Sequence, residues 1–117
     1  MRATCQLFRV NKTIEIDCAR IFDWPTFHDE FARAFRFPDF YGRNSSAWID
    51  CMTTPGEMTD VGLATEDIVT ISLVEGQDLK DRAPQLLTDL FEMVAFVNFR
   101  HLEAGEPGRF CISGWIG

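Results

Sequence analysis

Residues 37–53 of this chain read FPDFYGRNSSAWIDCMT. Pro38 opens an aromatic loop, Gly42 allows the chain to turn, and Asn44 is a suitable N-cap for the short helix that follows. The helix has a single carboxylate, Asp50, among small neutral side chains. This segment suits a surface that binds a cationic partner, and it is poorly supplied with the groups that catalysis needs.

The helix predicted over 44–53 has two faces when its residues are placed about 100° apart. On the side predicted to pack against the core lie Trp48, Cys51 and Met52. On the opposite side lie Ser46, Asp50 and Thr53, flanked by Ala47 and Ile49. We therefore expect Asp50 to point away from the core, within a flat and partly apolar patch on which another protein could close.

Several runs of residues have the alternation or β-branching typical of strands. Residues 4–10 and 13–18 alternate, and the Asn11-Lys12 pair between them suits a turn, so a hairpin is predicted. Residues 67–74 contain a nearly continuous β-branched run. This run predicts a central strand covered on both faces.

Two further helices are indicated by their first residues. Asp23 is a suitable N-cap for a helix with Pro25 in its first turn. The apolar stripe of that helix consists of Phe27, Phe31, Ala34 and Phe35. A long helix is predicted from Pro84 to about Glu103, and residues 109–116 then form the last strand.

The long helix has a core stripe and two aromatic residues outside it. The stripe consists of Leu86, Leu87, Leu90, Val94 and Val97. Phe96 and Phe99 lie off it, so either the helix is covered on two sides or it exposes both rings. Packing beneath a neighbouring loop is the favoured interpretation, because large exposed apolar patches are uncommon on monomers.

The predicted order of strand, helix, helix, strand, helix and strand indicates an α/β fold with a small, mainly parallel sheet. The chain has 117 residues, 46% of them hydrophobic. This length is sufficient for one domain with its own core and too short for two of ordinary size. We therefore expect one domain over residues 1–117.

The charge of the chain restricts the kinds of partner. Eighteen acidic and eleven basic residues give a formal net charge of -7. Such a surface repels phosphate backbones and anionic membranes and attracts basic proteins. We expect no direct nucleic-acid ligand and no membrane association. Without a long apolar run or a signal-peptide core, we expect a cytoplasmic protein.

Catalytic and metal sites are not indicated. The two histidines are His28 and His101, and a solvated surface position is the ordinary outcome for His28. Cys51 would need an adjacent base to act as a nucleophile. The four cysteines are far apart, without the paired spacing of zinc sites, which favours reduced and mostly buried thiols. We expect no enzyme activity, no metal and no cofactor.

The signature at 38–53 resembles that of the barstar family, intracellular inhibitors of the ribonuclease barnase. It consists of Pro38-Asp39-Phe40-Tyr41-Gly42-Arg43-Asn44, followed by Ala47, Asp50-Cys51-Met52 and Thr53. The resemblance extends over residues 13–112 at the level of the pattern. It implies a three-stranded parallel sheet packed with helices, to which the segment before Asn11 would add a strand.

The resemblance also implies a binding site. In the family, the second helix and the loop before it enter the nuclease cleft, and an aspartate occupies the site of a substrate phosphate. Asp50 stands at that position. The partner-binding residues implied here are Phe40, Tyr41, Gly42, Asn44, Ser46, Ala47, Ile49, Asp50 and Thr53. Asn44 has a structural explanation as N-cap as well as a possible contact role.

Several positions depart from the family pattern. Ser46 stands where barstar has an acid, Ile49 where it has a tryptophan, and Phe40 where it has a tyrosine. A further acidic contact late in the long helix has two candidate positions, Asn98 and Glu103. The resemblance implies a monomeric inhibitor, or immunity protein, of a basic ribonuclease. The alternative is a barstar-fold interaction module with a different cationic partner.

Overall fold

The sheet formed by the described residues has three strands, and all neighbours in it are parallel. A computed structural model describes residues 11–64, 67–106 and 108–114. The strands, in sheet order, are β1 (Asn11–Asp17), β2 (Ile68–Val74) and β3 (Phe110–Gly114). The prediction of an α/β fold with a three-stranded parallel sheet is confirmed.

The described residues contain five α-helices and one 3-10 turn, at Cys18–Arg20. The helices are α1 (Trp24–Phe35), α2 (Ser45–Thr53), α3 (Pro55–Met58), α4 (Gly76–Arg82) and α5 (Pro84–Glu103). Parallel neighbours in a sheet require long crossover connections, which these helices provide. The 3-10 turn and the short helices α3 and α4 were not among the predicted elements.

β2 lies at the centre of the sheet, as its sequence predicts. Val69, Ile71 and Leu73 are buried, and the residues between them are half-buried. Val69 is opposite Lys12 of β1 and Phe110 of β3. Hydrogen bonding on both edges explains why β2 is rich in β-branched residues and contains no proline.

The hairpin turn predicted at Asn11-Lys12 is wrong. Asn11 is opposite Ile68 and Lys12 is opposite Val69, so both residues belong to β1. Asn11 suits a turn, but this is only a local preference. Here its pairing with β2, a strand far away in the sequence, decides its conformation. The strand predicted over 4–10 lies outside the described residues.

α1 supplies the largest aromatic part of the core. Asp23 is its N-cap and Pro25 lies in its first turn, as predicted. Phe27, Phe31 and Phe35 are fully buried. The Phe31 ring centroid is 4.6 Å from that of Phe27 and 5.8 Å from that of Phe35. This continuous aromatic row is the surface on which the next loop and α2 pack.

α5 packs against α2 and α4, and its core stripe is buried as predicted. No helix within the described residues has the length and apolarity needed to cross a bilayer.

Candidate functional site

The loop between α1 and α2 is held to the core by alternate aromatic side chains. Phe37 and Tyr41 are buried, with ring centroids 4.7 Å apart. The Tyr41 amide donates to the Pro38 carbonyl at 2.9 Å, which closes a turn between them. Phe40, on the other side of the chain, is 76% exposed. The loop therefore presents one aromatic ring to solvent and uses two as anchors.

Tyr41 is bound to His28 inside the protein. The Tyr41 hydroxyl and His28 Nδ1 are 2.5 Å apart. Burial raises the pKa of Tyr41, and burial also lowers the pKa of His28, aided by the charge of Arg43 and opposed by that of Asp29. Both groups are therefore neutral near pH 7. The prediction of a solvated His28 is wrong, because only 3% of it is exposed.

Tyr41 itself has little surface to offer a partner, since it is 9% exposed. Its inclusion among the partner-binding residues came from the family signature, in which its neighbour Phe40 also lies. The structure separates the two: the Tyr41 ring packs inward and the Phe40 ring points outward. We therefore treat Tyr41 as a residue that positions the loop.

Gly42 and Arg43 connect the loop to both helices. A Cβ added at Gly42 would lie 3.3 Å from the Cβ of Ala47, a tight contact that explains why glycine suits this position. Arg43, at φ 57°, donates to Asp29 Oδ1 at 2.6 Å and to the Pro25 carbonyl at 3.2 Å. The loop is thus tied to the start of α1 by an exposed side chain.

α2 begins as its sequence predicts. Asn44 is the N-cap, and its Oδ1 accepts a hydrogen bond from the Ala47 amide at 2.8 Å. Trp48, Cys51 and Met52 are buried, as predicted. The Trp48 ring centroid is 5.6 Å from that of Phe31, so α2 packs directly on the aromatic row of α1.

The outward side of α2 has the predicted arrangement. Ser46 and Asp50 are exposed, and Ala47, Ile49 and Thr53 are half-buried. The Thr53 hydroxyl donates to the Ile49 carbonyl at 2.7 Å, so it is already used within the helix. Asp50 is the only carboxylate on the helix.

Asp50 lies at the edge of an open groove between the ends of α2 and α5. We call it the Asp50 groove. Its lining consists of Asp50, Thr53, Thr54, Arg100, Glu103 and Ala104. Glu103 therefore shares a surface with Asp50. Arg100 could not be assigned to this site from the sequence, because the packing of α2 against α5 decides which turn of α5 lies beside Asp50.

Asn98, the other candidate for a late-helix contact, has a structural role instead. Its Oδ1 accepts hydrogen bonds from the amides of Arg109 and Phe110, both at 2.9 Å. Its Nδ2 donates to the Phe110 carbonyl at 2.8 Å. Asn98 therefore holds the start of β3 against α5, and both polar atoms of its side chain are already used within the fold.

A second shallow groove lies near the beginning of α2. It is lined by Trp24, Ser45, Ile49, Asp89, Glu92, Met93 and Phe96. Phe96 is 47% exposed and Phe99 is 54% exposed, so the interpretation that both pack beneath a loop is wrong. Asp89 and Glu92 add negative charge beside Ile49, which sequence periodicity alone did not identify as part of the same surface.

Cys18 and Cys51 do not have the properties of nucleophiles. Burial raises the pKa of Cys51, and burial raises the pKa of Cys18 to about 12. A thiol with a raised pKa is protonated and unreactive near neutral pH. Cys18 and Cys51 are buried, as expected for most of the thiols, whereas Cys111 is exposed and Cys5 lies outside the described residues. Within the described residues, no three His, Cys, Asp or Glu side chains are grouped as metal ligands.

Comparison with known proteins gives one family. The family model described as barstar (barnase inhibitor) matches residues 11–111. No curated protein matches the chain. Because the family model covers most of the sequence, including β1, the loop, α2, β2 and the start of β3, the chain belongs to the barstar family.

Proposed function

We propose that this member of the barstar family inhibits a basic ribonuclease of the barnase type by occupying its active site. Asp50 takes the place of a substrate phosphate. The main support is the position of Asp50, an exposed carboxylate on a helix whose other side is fixed in the core. No catalytic step by this chain is required, because occlusion alone stops the nuclease.

A carboxylate is a suitable substitute for a phosphate. Arginine binds both groups through parallel hydrogen bonds, and a site that binds an RNA phosphate already has its cations in place. The net charge of -7 has the sign that accelerates association with a basic enzyme. Charge thus supports both the contact at Asp50 and the approach of the two proteins.

The proposed contact surface extends from the loop along α2. With Asp50 it comprises Phe40, Gly42, Asn44, Ser46, Ala47, Ile49 and Thr53. Phe40 supplies an exposed ring, and Ala47 and Ile49 supply partly apolar surface from which water can be excluded. Removal of water strengthens the interaction of Asp50 with a cation.

The cognate nuclease differs from barnase in this proposal. Ser46 is exposed and neutral at a position where barstar has an acid, and Ile49 replaces a tryptophan. Loss of one member of a buried charge pair costs about 2–5 kcal/mol at an interface. Barnase and barstar are among the complexes on which such values were measured, so this magnitude is known for the family. We expect a target with fewer cations opposite Ser46.

The direct test is inhibition of a purified barnase-type ribonuclease encoded next to this gene, with RNA cleavage as the readout. Full cleavage at equimolar inhibitor contradicts the proposal for that pair. In the same assay, Asp50→Ala should weaken binding by about 2–5 kcal/mol. Asp78→Ala removes the same charge from the exposed first turn of α4 and serves as the control. Equal dissociation constants for both variants would exclude Asp50 from its proposed role.

Salt dependence tests the contribution of net charge. An association rate that depends on charge attraction falls as ionic strength rises, because at 0.1 M salt largely screens the attraction between charges more than about 10 Å apart. A rate that is independent of salt would contradict this part of the proposal. We further propose that the free inhibitor is a monomer and acts in the cytoplasm.

A second candidate function is binding of a cationic protein that is not a ribonuclease. The neutral Ser46 favours it, since the surface lacks one acid of the family pattern. Affinity capture from the native cell discriminates between the two candidates. A basic nuclease as the captured partner supports inhibition, and a different basic protein supports the second function.

A further inference from the structure

The Asp50 groove contains a positive charge in an otherwise acidic surface. Arg100 and Glu103 lie on the last two turns of α5, and both line the groove with Asp50. The groove is thus lined by the carboxylates of Asp50 and Glu103 and by the guanidinium of Arg100. A surface that served only to attract cations would not need Arg100.

Arg100 forms no ion pair within the part of the chain that the structure describes. Among the described residues, no carboxylate lies within 4.0 Å of its guanidinium nitrogens, although Asp50 and Glu103 line the same groove. Its guanidinium carbon is 5.4 Å from the ring centroid of Phe96. This cation–π contact holds the charged group at the surface, and its N–H groups donate no hydrogen bond to any described residue, so they can bind another molecule.

A cation at this position would repel a uniformly basic partner. Like charges placed opposite each other at an interface cost several kcal/mol. The penalty is avoided if the partner has a carboxylate opposite Arg100. A ribonuclease active site can provide one, because cleavage at the 2′-hydroxyl needs a general base beside the phosphate, and a carboxylate can have this role.

We propose that Arg100 binds a carboxylate of the partner that lies between the cations bound by Asp50 and Glu103. Arg100 is then a specificity-determining residue: it selects nucleases whose phosphate site contains an acid and disfavours partners that are basic throughout. This inference rests on the proposed function and adds the charge pattern of the partner to it.

Arg100 also has a simpler use within the fold, and the two uses give different results. It lies near the C-terminus of α5, where a positive charge stabilises a helix by interacting with the partial negative charge of the last carbonyl groups. That effect changes the stability of the free protein and leaves binding unaltered. A measurement of binding by a folded variant therefore separates the two explanations.

The test uses a barnase-type ribonuclease whose general base is a glutamate, together with its variant in which that glutamate is glutamine. Dissociation constants are measured by calorimetry for the native inhibitor, Arg100→Gln and Arg20→Gln. Arg20 is an exposed arginine in the 3-10 turn, paired with Asp17, and gives the same change of charge elsewhere.

Arg100→Gln should raise the dissociation constant of the native nuclease at least about tenfold. With the nuclease variant that lacks the glutamate, Arg100→Gln should change the dissociation constant by less than about twofold. Arg100 and the glutamate are coupled only through their mutual contact, which this variant has already lost. Arg20→Gln should have little effect on either. Unchanged or tighter binding by Arg100→Gln overturns the inference, as does an equal loss with both nucleases.

The result also distinguishes this inference from the proposed function. If the native inhibitor does not bind the nuclease, the proposed function fails and the role of Arg100 fails with it. If Asp50→Ala weakens binding while Arg100→Gln does not, the proposed function stands and only the inference about Arg100 is overturned.

Discussion

The two faces of α2 differ in what fixes them. On the inner face, Trp48, Cys51 and Met52 are buried against the aromatic row of α1. On the outer face, the side chains of Ser46 and Asp50 make no hydrogen bond or ion pair with any described residue. The inner face is therefore needed for folding, whereas the outer face can change with little effect on stability. A family built this way can keep its fold while its members bind different targets.

The largest effect is expected on the inner face. Trp48→Ala should lower the free energy of unfolding by about 3–5 kcal/mol, because it leaves a large cavity beside Phe31. Ser46→Ala, on the outer face of the same helix, should change it by less than about 0.5 kcal/mol. Urea denaturation of both variants measures the difference. Similar losses in the two variants would mean that the faces do not differ as described.

The same comparison applies to two adjacent residues of the loop. Tyr41→Phe removes the hydroxyl that binds His28 and leaves a buried ring nitrogen unpaired, which should cost about 1–3 kcal/mol of stability. Phe40→Ala removes an exposed ring and should cost less than about 0.5 kcal/mol. Thermal or chemical unfolding of the pair is the measurement. A more stable Tyr41→Phe variant would show that the contact with His28 is not favourable.

Asn44 lies at the junction of the loop and α2. A substitution there can change both the stability of the protein and its binding to a partner, and the two effects need to be separated. Asn44→Ala removes the N-cap and should cost about 1 kcal/mol of stability. Asn44→Ser retains a capping oxygen and should restore most of that loss. If Asn44→Ser is stable but still binds the nuclease weakly, Asn44 also contacts the partner. If both variants are as stable as the native protein, the cap contributes nothing.

His28 makes the stability of the inner side dependent on pH. Its pKa is lowered in the folded protein from 6.5, chiefly by burial, so the unfolded chain takes up a proton first as pH falls. Stability should therefore be retained above the unfolded pKa of 6.5 and decrease as pH falls through that value, until the folded protein takes up the proton as well. The slope should be smaller in His28→Gln, measured by denaturation at each pH. An equal slope in both proteins would assign the dependence to other groups.

The smallest effect on stability is expected at Asp50. Asp50→Ala should change the free energy of unfolding by less than about 0.5 kcal/mol, since the side chain is exposed. Its large effect should appear only in binding to the nuclease. A loss of stability above about 1 kcal/mol would show that Asp50 supports the fold and would invalidate its use as a pure binding variant.

The features that the sequence predicted well are determined by residues close together in the chain. Asp23 and Asn44 were identified as N-caps because capping bonds reach only three residues ahead. The inner face of α2 followed from helical periodicity. β2 was recognisable because a central parallel strand is apolar on both faces.

The features that it did not predict depend on residues far apart in the chain. His28 is buried because Tyr41, in the following loop, closes over it. Asn11 was interpreted as a turn residue, and only its pairing with Ile68 places it in β1. α4 begins without a side-chain cap, at Glu75 with φ 61°, so its start lacks the usual sequence signal. Arg100 lines the Asp50 groove because α5 packs beside α2.

The hydrogen bonds and the ion pair that hold the loop before α2 have a consequence for the entropy of binding. The backbone turn at Tyr41, its bond to His28, the Arg43 contacts with α1 and the Asn44 cap fix this segment in the free protein. Ordering a mobile side chain at an interface costs about 0.5–1.5 kcal/mol, and ordering a whole loop costs more. Because the backbone of this loop is already ordered by folding, binding a partner would not carry the additional entropy cost of ordering it.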